Sequence, residues 1–178
     1  MPGVDCLREA AREFHRYRML AEKAFDQVGA DRWTAEPAPG SNSLAVVVKH
    51  VAGNLRSRWT DFLTTDGEKP DRDRDDEFEI HSGDDPAALR AAWNAAWETL
   101  FASLDALHDD DLPKAVRIRG EEMTAWQAIQ RSLTHTALHV GQIVYVSKML
   151  AADRWATLTI PRGGSKAFNA APKPYGVP

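Results

Sequence analysis

Two histidines in the second half of the chain, His135 and His139, are four residues apart in the segment HTALH. Residues at this spacing lie one turn apart on the same face of a helix, so both imidazoles can reach one metal ion. The alternative is a pair of rings that only form hydrogen bonds on a half-buried face. Thr136 stands where the zinc-protease helix motif carries its glutamate base, which argues against a peptidase.

A third histidine, His50, lies in an apolar segment beside Val47, Val48 and Val51. A lone imidazole in such surroundings needs a partner to offset its loss of hydration. Facing helices can bring residues from distant parts of a chain to one cavity. We therefore predict that His50, His135 and His139 hold one divalent metal ion. Three neutral nitrogen ligands suit zinc, nickel or another borderline divalent ion and leave a coordination position open, which is typical of catalytic sites.

Polar residues follow these histidines on the same helical stripes. Asn54 and Arg58 come four and eight residues after His50, and Gln142 comes three residues after His139. We predict that these three act as catalytic residues near the substrate, with Asn54 able to orient a ligand histidine. The alternative for Arg58 is that it solvates a helix end or pairs with Asp61.

The other three histidines are predicted to have different roles. His108 lies beside three aspartates in a connection and should be solvated at the surface. His15 falls just off the apolar stripe of the first predicted helix, which indicates a partly exposed structural residue. His81 lies in a charged loop, from which it could reach the metal as a further ligand, although a surface position is the favoured interpretation.

Apolar residues recurring at intervals of three and four predict four helices that position these side chains. We expect helices from about Val4 to Val28, from a cap at Ser41 or Ser43 through Phe62, from a cap at Asp84 or Asp85 through Leu104, and from a cap at Thr124 to about Leu150. Residues 64–85 are highly charged and should form a long surface connection. Residues 115–119 alternate and favour a short hairpin or an extended arm, and the tail after Asp153 should pack over the helices.

Length and charge restrict the classes of protein that this chain can represent. A chain of 178 residues suits one domain, which we assign to residues 1–178. A net charge of -4 with mixed signs disfavours nucleic acid as a partner. Uncharged stretches are too short to span a membrane, and the first residues lack the pattern of a secretory signal. With Cys6 as the single cysteine, we expect a cytoplasmic protein.

Several segments around these residues resemble a known superfamily. They are KHVAGNL at 49–55, GNLRSRWTDFL at 53–63, DGEKP at 66–70, THTALHVGQ at 134–142 and IPRGGS at 160–165. Together they are similar to the DinB-like, or YfiT-like, superfamily of metal-dependent enzymes, and to one mostly uncharacterised bacterial branch of it. The resemblance spans most of the chain.

The resemblance implies an all-α fold, a four-helix bundle with a long crossover between the second and third helices, and His50, His135 and His139 as ligands. Characterised members of the superfamily include thiol-dependent transferases and an isomerase, and dimers are frequent. We therefore expect a homodimeric enzyme that acts on a small molecule, either a hydrolase or an S-transferase that uses a low-molecular-weight thiol. The alternative is a non-catalytic dimeric metal-binding or stress-response protein, because one fold can host several functions.

Overall fold

The computed structural model describes residues 5–172, and this part of the chain is mostly helical. The elements in chain order are α1 (Cys6–Phe25), α2 (Leu44–Trp59), α3 (Pro86–Asp105), β1 (Ala115–Ile118), β2 (Glu121–Thr124), α4 (Ala125–Ala151) and α5 (Ser165–Ala170). The mostly helical fold is confirmed. The antiparallel pair β1 and β2 is the exception to the all-α class. Of the two predicted possibilities, a short hairpin and an extended arm, the structure has the hairpin.

The helix starts are fixed by side chains that accept hydrogen bonds from backbone amides of the first turn. Ser43, and not Ser41, caps α2, and Asp85, and not Asp84, caps α3. Thr124 caps α4 in a reciprocal pair with the side chain of Gln127. α2 ends at Trp59, earlier than predicted, and the chain leaves it through Asp61, which has a φ of 48°.

The four long helices share one apolar core. α2 packs against α3 and α4, while α1 packs against α4 and, less extensively, α3. The ring of Phe14 on α1 meets Trp59 of α2 at 5.6 Å and Trp97 of α3 at 6.2 Å, both edge-on. These buried aromatic rings fix the rotation of α2, and with it the face on which His50 lies. The assignment of one domain to residues 1–178 stays a prediction.

The connection between α2 and α3 is not simply a surface loop, so that prediction is wrong in part. Most of its residues are exposed, but Gly67 and Glu77 are buried. Ser57 of α2 donates a hydrogen bond to the carbonyl of Gly67 at 2.8 Å and accepts one from the amide of Lys69 at 3.0 Å. A 3-10 turn at Asp76–Phe78 then packs against α2. The connection is thereby held against the helix that carries His50.

The β1–β2 hairpin is tied to the same connection. Its turn residues Arg119 and Gly120 have φ values of 57° and 77°, as expected for a tight turn of the type that suits hairpin twist. The carboxylate of Asp66 accepts hydrogen bonds from the amides of both residues, at 2.8 and 2.7 Å. Val116 and Ile118 of β1 point into the core.

The tail packs on the helices through its first part. Trp155 and Leu158 are half-buried against the core, and Gln27, just after the end of α1, accepts a hydrogen bond from the amide of Ala156 at 2.6 Å and donates one to its carbonyl at 3.1 Å. The short helix α5 was not predicted and buries none of its residues. Within residues 5–172, no helix combines the length and the apolar character that crossing a bilayer requires.

Candidate metal centre

The structure brings His50, His135 and His139 together. His50 comes from α2, whereas His135 and His139 come from successive turns of α4. One ligand nitrogen from each residue can be chosen so that all three lie within 4.8 Å of one another. The Nε2 atoms of His50 and His135 are 3.3 Å apart, and the ring centroids of His135 and His139 are 4.4 Å apart.

This donor set fits a divalent metal ion. Two nitrogens bound at 2.0–2.1 Å to one tetrahedral zinc lie about 3.3 Å apart, which is the separation found between the Nε2 atoms of His50 and His135. Burial, with added repulsion from His139 and His50, lowers the pKa of His135 to about 3. Burial also lowers the pKa of His139, against an opposing hydrogen bond to Gln142. Both imidazoles are therefore neutral near pH 7, as ligands must be.

His50 is oriented by Glu77 from the α2–α3 connection. Oε2 of Glu77 accepts a hydrogen bond from Nδ1 of His50 at 2.8 Å. Arg72 donates to both carboxylate oxygens, at 2.8 and 2.9 Å. Burial raises the pKa of Glu77, but the hydrogen bonds from His50 and Arg72 outweigh it, and the pKa lies below its ordinary value. An ionised Glu77 keeps the proton of His50 on Nδ1, which leaves the lone pair of Nε2 facing the other two histidines.

Gly53 makes this contact possible. It lies three residues after His50 on the same helix, and Glu77 packs directly on its backbone. A Cβ atom at Gly53 would collide with Oε1 of Glu77 and lie 2.8 Å from its Cδ. Glycine inside a helix is otherwise unfavourable. The residue type at this position therefore reflects the close approach of the carboxylate.

Glu77 and Arg72 are not among the predicted site residues, because they lie in a run of charges that is typical of a solvated loop. Two signals could have found them. Phe78 is an aromatic residue inside that charged run, and Gly53 is a mid-helix glycine one turn from a predicted ligand. Together they point to a segment that returns to the helix.

A cavity of about 270 Å³ adjoins the three histidines. Its apolar wall consists of Trp59, Phe62, Phe78, Val116, Ile118 and Ala128. Asn54 also lines the cavity and is only 6% exposed. Within residues 5–172, the amide group of its side chain makes no hydrogen bond. An unpartnered amide facing a cavity can bind a ligand.

Arg58 lines the same cavity, but it does not pair with Asp61. Its Nη1 donates to the carbonyl of Gly67 and to Oε2 of Glu68, the latter at 2.9 Å. Burial lowers the pKa of Arg58, helped by the charges of Arg72 and Arg119 and opposed by Glu68. Gln142 lies outside the cavity wall, and its Oε1 is 2.9 Å from Nδ1 of His139. Gln142 thus positions a histidine.

The remaining histidines lie elsewhere. His81 is exposed and pairs with Asp76 at 2.7 Å, and the ring of His15 stacks on Phe101 at a centroid distance of 3.9 Å. His108 caps a 3-10 turn. None of them joins the cluster that the described residues form.

The site therefore combines three convergent imidazoles, a cavity with an apolar wall, and polar groups at its edge. Such an arrangement can hold one ion beside a small organic molecule. Comparison with curated proteins gives no match. Residues 3–164 match the model of a family described as protein of unknown function DUF1572, and the chain belongs to that family.

Proposed function

We propose that the chain is a metal-dependent enzyme of the DinB-like type, in which His50, His135 and His139 hold one zinc or nickel ion. The observation that carries the proposal is the convergence of three ligand nitrogens from two helices within 4.8 Å, beside a cavity. The hydrogen bond from His50 to the buried Glu77 adds support, because such carboxylates accompany metal-bound histidines. The packing of α1 to α4 and the long α2–α3 connection favour a four-helix bundle of that superfamily.

The residues around the site have separate roles in this proposal. A divalent ion there supplies Lewis acidity, which polarises a carbonyl or activates a water or thiol. Glu77 and Gln142 hold the Nδ1 protons of His50 and His139, so that both rings present Nε2. Asn54 orients the substrate from the cavity wall, Arg58 binds a polar group of it, and the aromatic wall excludes water.

Between the two reaction classes, the wall of the cavity favours thiol transfer. Neither aspartate nor glutamate lines it among the described residues, so hydrolysis would lack a carboxylate base next to the substrate. A thiol loses its proton more easily than water does, and nearby positive charges lower its pKa further. We therefore favour an S-transferase that uses a low-molecular-weight thiol over a hydrolase.

The non-catalytic alternative requires a site that binds metal and nothing else. The unpartnered amide of Asn54 argues against it, because a storage or structural site has no use for a polar group facing the cavity. We also propose a cytoplasmic homodimer. Support for a dimer comes from α4, where Leu138, Tyr145 and Met149 are large, apolar and exposed at helical spacing.

Metal analysis tests the proposal most directly. Protein purified without an affinity tag should contain about one divalent ion per chain, and His50→Ala and His139→Ala should lose most of it while circular dichroism stays helical. His81→Ala is the matched control, because this histidine is exposed and outside the cluster. Equal metal content in all four proteins would refute the site. Turnover with an added thiol that a chelator abolishes would then separate the enzyme from the metal-binding protein.

A further inference from the structure

The charges on the cavity wall are all of one sign. Among the described residues, no carboxylate lines it. Six arginines do, namely Arg58, Arg72, Arg74, Arg117, Arg119 and Arg131. They come from three separate parts of the chain: α2 with its following connection, the β1–β2 hairpin, and the second turn of α4. A concave surface lined by one sign of charge concentrates ions of the opposite sign.

The carboxylates that pair with the inner arginines Arg58, Arg72 and Arg119 are not among the residues that line the cavity. Glu68 accepts hydrogen bonds from Arg58 at 2.9 Å and from Arg119 at 3.0 Å, and it lies 3.4 Å from Arg72. Within the described part of the chain, Glu77 pairs with Arg72 and with no other arginine. Three guanidinium groups thus pair with two carboxylates, and the nearby carboxylate of Asp66 also interacts with Arg58. None of these carboxylates lines the cavity, whereas the arginines do.

The outer arginines are held only weakly. Arg131 pairs with Glu121, Arg117 with Glu122 and Arg74 with Asp75, at 3.2, 3.2 and 3.4 Å. In each pair both side chains are largely exposed. Exposed ion pairs of this kind contribute little and exchange partners readily. These arginines can therefore turn towards a bound anion.

Arg58 is the residue best placed to bind such a group. Its side chain is only 12% exposed, and both of its hydrogen bonds use Nη1. Within residues 5–172, Nε and Nη2 donate to nothing, although a guanidinium carries five donor hydrogens. Asn54, one turn earlier on α2, offers an unpartnered amide to the same cavity.

We propose that the substrate is a small organic anion, whose carboxylate or phosphate group binds Arg58 with help from Arg119 and Arg131. The aromatic wall formed by Trp59, Phe62 and Phe78 takes its hydrocarbon part. A cavity of about 270 Å³ suits a compact molecule. The inference names the substrate class of the enzyme proposed above. That the bound anion reacts rests on the proposed function, whereas its binding does not.

Binding of three probes by calorimetry tests the inference. Benzoate and phenyl phosphate carry the two candidate anions, and benzamide is a neutral molecule of the same shape. Chelator-treated protein should bind at least one anion about tenfold or more tightly than benzamide, because charge-assisted hydrogen bonds are the stronger ones. Added sodium chloride should weaken that binding. The better of the two anions identifies the group that the site prefers.

Variants assign the effect to Arg58. Arg58→Gln should weaken anion binding about tenfold or more and leave benzamide unchanged. Arg131→Gln, on α4 and away from the connection that Arg58 supports, should weaken it severalfold even where Arg58→Gln fails to fold. Arg16→Gln is the control, because Arg16 pairs with Glu13 on α1 outside the cavity. Equal affinity for benzamide and both anions, or anion binding that neither cavity variant alters, would overturn the inference.

This experiment is independent of the metal. Suppose that the chelated protein prefers anions through Arg58, while His50→Ala and His139→Ala keep their metal content. This result would preserve the inference and remove the metal function. The reverse result, in which the histidine variants lose metal while anions and benzamide bind equally, would preserve the metal site and remove the anionic substrate.

Discussion

Oε2 of Glu77 lies 2.8 Å from Nδ1 of His50, although the two residues belong to different elements and are separated by 27 positions in the chain. Both are buried, at 6% and 5% exposure. The charged connection therefore does more than link α2 to α3, because it supplies the group that fixes the proton and the orientation of a candidate ligand.

Replacing Glu77 tests that role. Glu77→Gln keeps the shape of the side chain but removes its charge, so Nδ1 of His50 loses its charged acceptor and keeps at most a neutral amide oxygen. We expect the affinity for zinc to fall by about 10- to 100-fold, as for other carboxylates that orient metal-bound histidines. Competition with a coloured chelator measures the change.

Glu79→Gln provides the control for this variant, since Glu79 lies in the same connection with its side chain exposed. It should bind zinc as the wild type does. Equal losses in the two variants would mean that the charge of the connection matters only at long range, and the specific contact with His50 would have no special role.

Gly53→Ala should disturb the same contact between His50 and Glu77 by steric overlap. The added Cβ collides with the Glu77 carboxylate, which must move away from His50. We expect the variant to have a lower zinc affinity and a lower free energy of unfolding. Replacing glycine by alanine within a helix usually has the opposite effect and raises the free energy of unfolding by about 1 kcal/mol. Urea unfolding and zinc competition measure the two effects.

Gly141 is a matched control on α4. A Cβ atom at Gly141 would meet no atom within 4 Å among the described residues. Gly141→Ala should therefore raise the free energy of unfolding by about 0.5–1 kcal/mol and leave zinc binding unchanged. A stabilising Gly53→Ala would show that Glu77 can shift without cost, contrary to the packing described above.

The helices could be predicted from the sequence because their signals are local. Apolar spacing and helix caps act within one or two turns of the chain. They predict two candidate caps each for α2 and α3, of which Ser43 and Asp85 are the ones found, and the single cap Thr124 for α4. The three histidines could also be predicted, His135 and His139 from their spacing of four and His50 from its position in an apolar segment. The end of α2 at Trp59 is not visible in the sequence, because apolar spacing continues to Phe62 and gives no sign of the turn at Asp61.

The rest of the site depends on contacts between distant segments. Nothing local distinguishes Glu77 from Glu79, yet one is buried against α2 and the other is exposed. Likewise, the sequence offered Asp61 as a partner for Arg58, whereas the folded chain supplies Glu68. Which charge of a run turns inward is decided by the course of the backbone, and this course follows from packing on α2 rather than from composition.

Arg72 balances the buried carboxylate and should be important for stability. Its side chain is 2% exposed and pairs with both Glu77 and Glu68. Arg72→Met leaves Glu77 buried without its main counter-charge, so we expect the free energy of unfolding to fall by about 3 kcal/mol. The double variant with Glu77→Gln should lose less than the sum of the two single losses.

Arg56→Met is the comparison for this loss, because Arg56 and its partner Asp71 are both mostly exposed. It should change the free energy of unfolding by less than about 1 kcal/mol. Similar losses in Arg56→Met and Arg72→Met would indicate that the buried pair is no more important than a surface one.

Asp66 makes the hairpin sensitive to acid. Burial raises the pKa of Asp66, but backbone amides of Glu68, Gly120 and Arg119 outweigh it, and the pKa lies below its ordinary value of 3.8. A lowered pKa means that the charged form stabilises the folded chain. This contribution is complete above the unfolded pKa and is lost as the pH falls through the lower folded value.

Asp66→Asn should therefore lower the free energy of unfolding by about 1 kcal/mol at pH 7. The difference from the wild type should persist down to about pH 5. It should shrink below about pH 4, because the wild-type carboxylate is protonated first in the unfolded chain and then, at lower pH, in the folded one. Urea unfolding at several pH values measures it, with the exposed Asp153→Asn as the control. A difference that stays constant to pH 3 would mean that the charge of Asp66 contributes nothing, and that its shape alone holds the turn at Arg119 and Gly120.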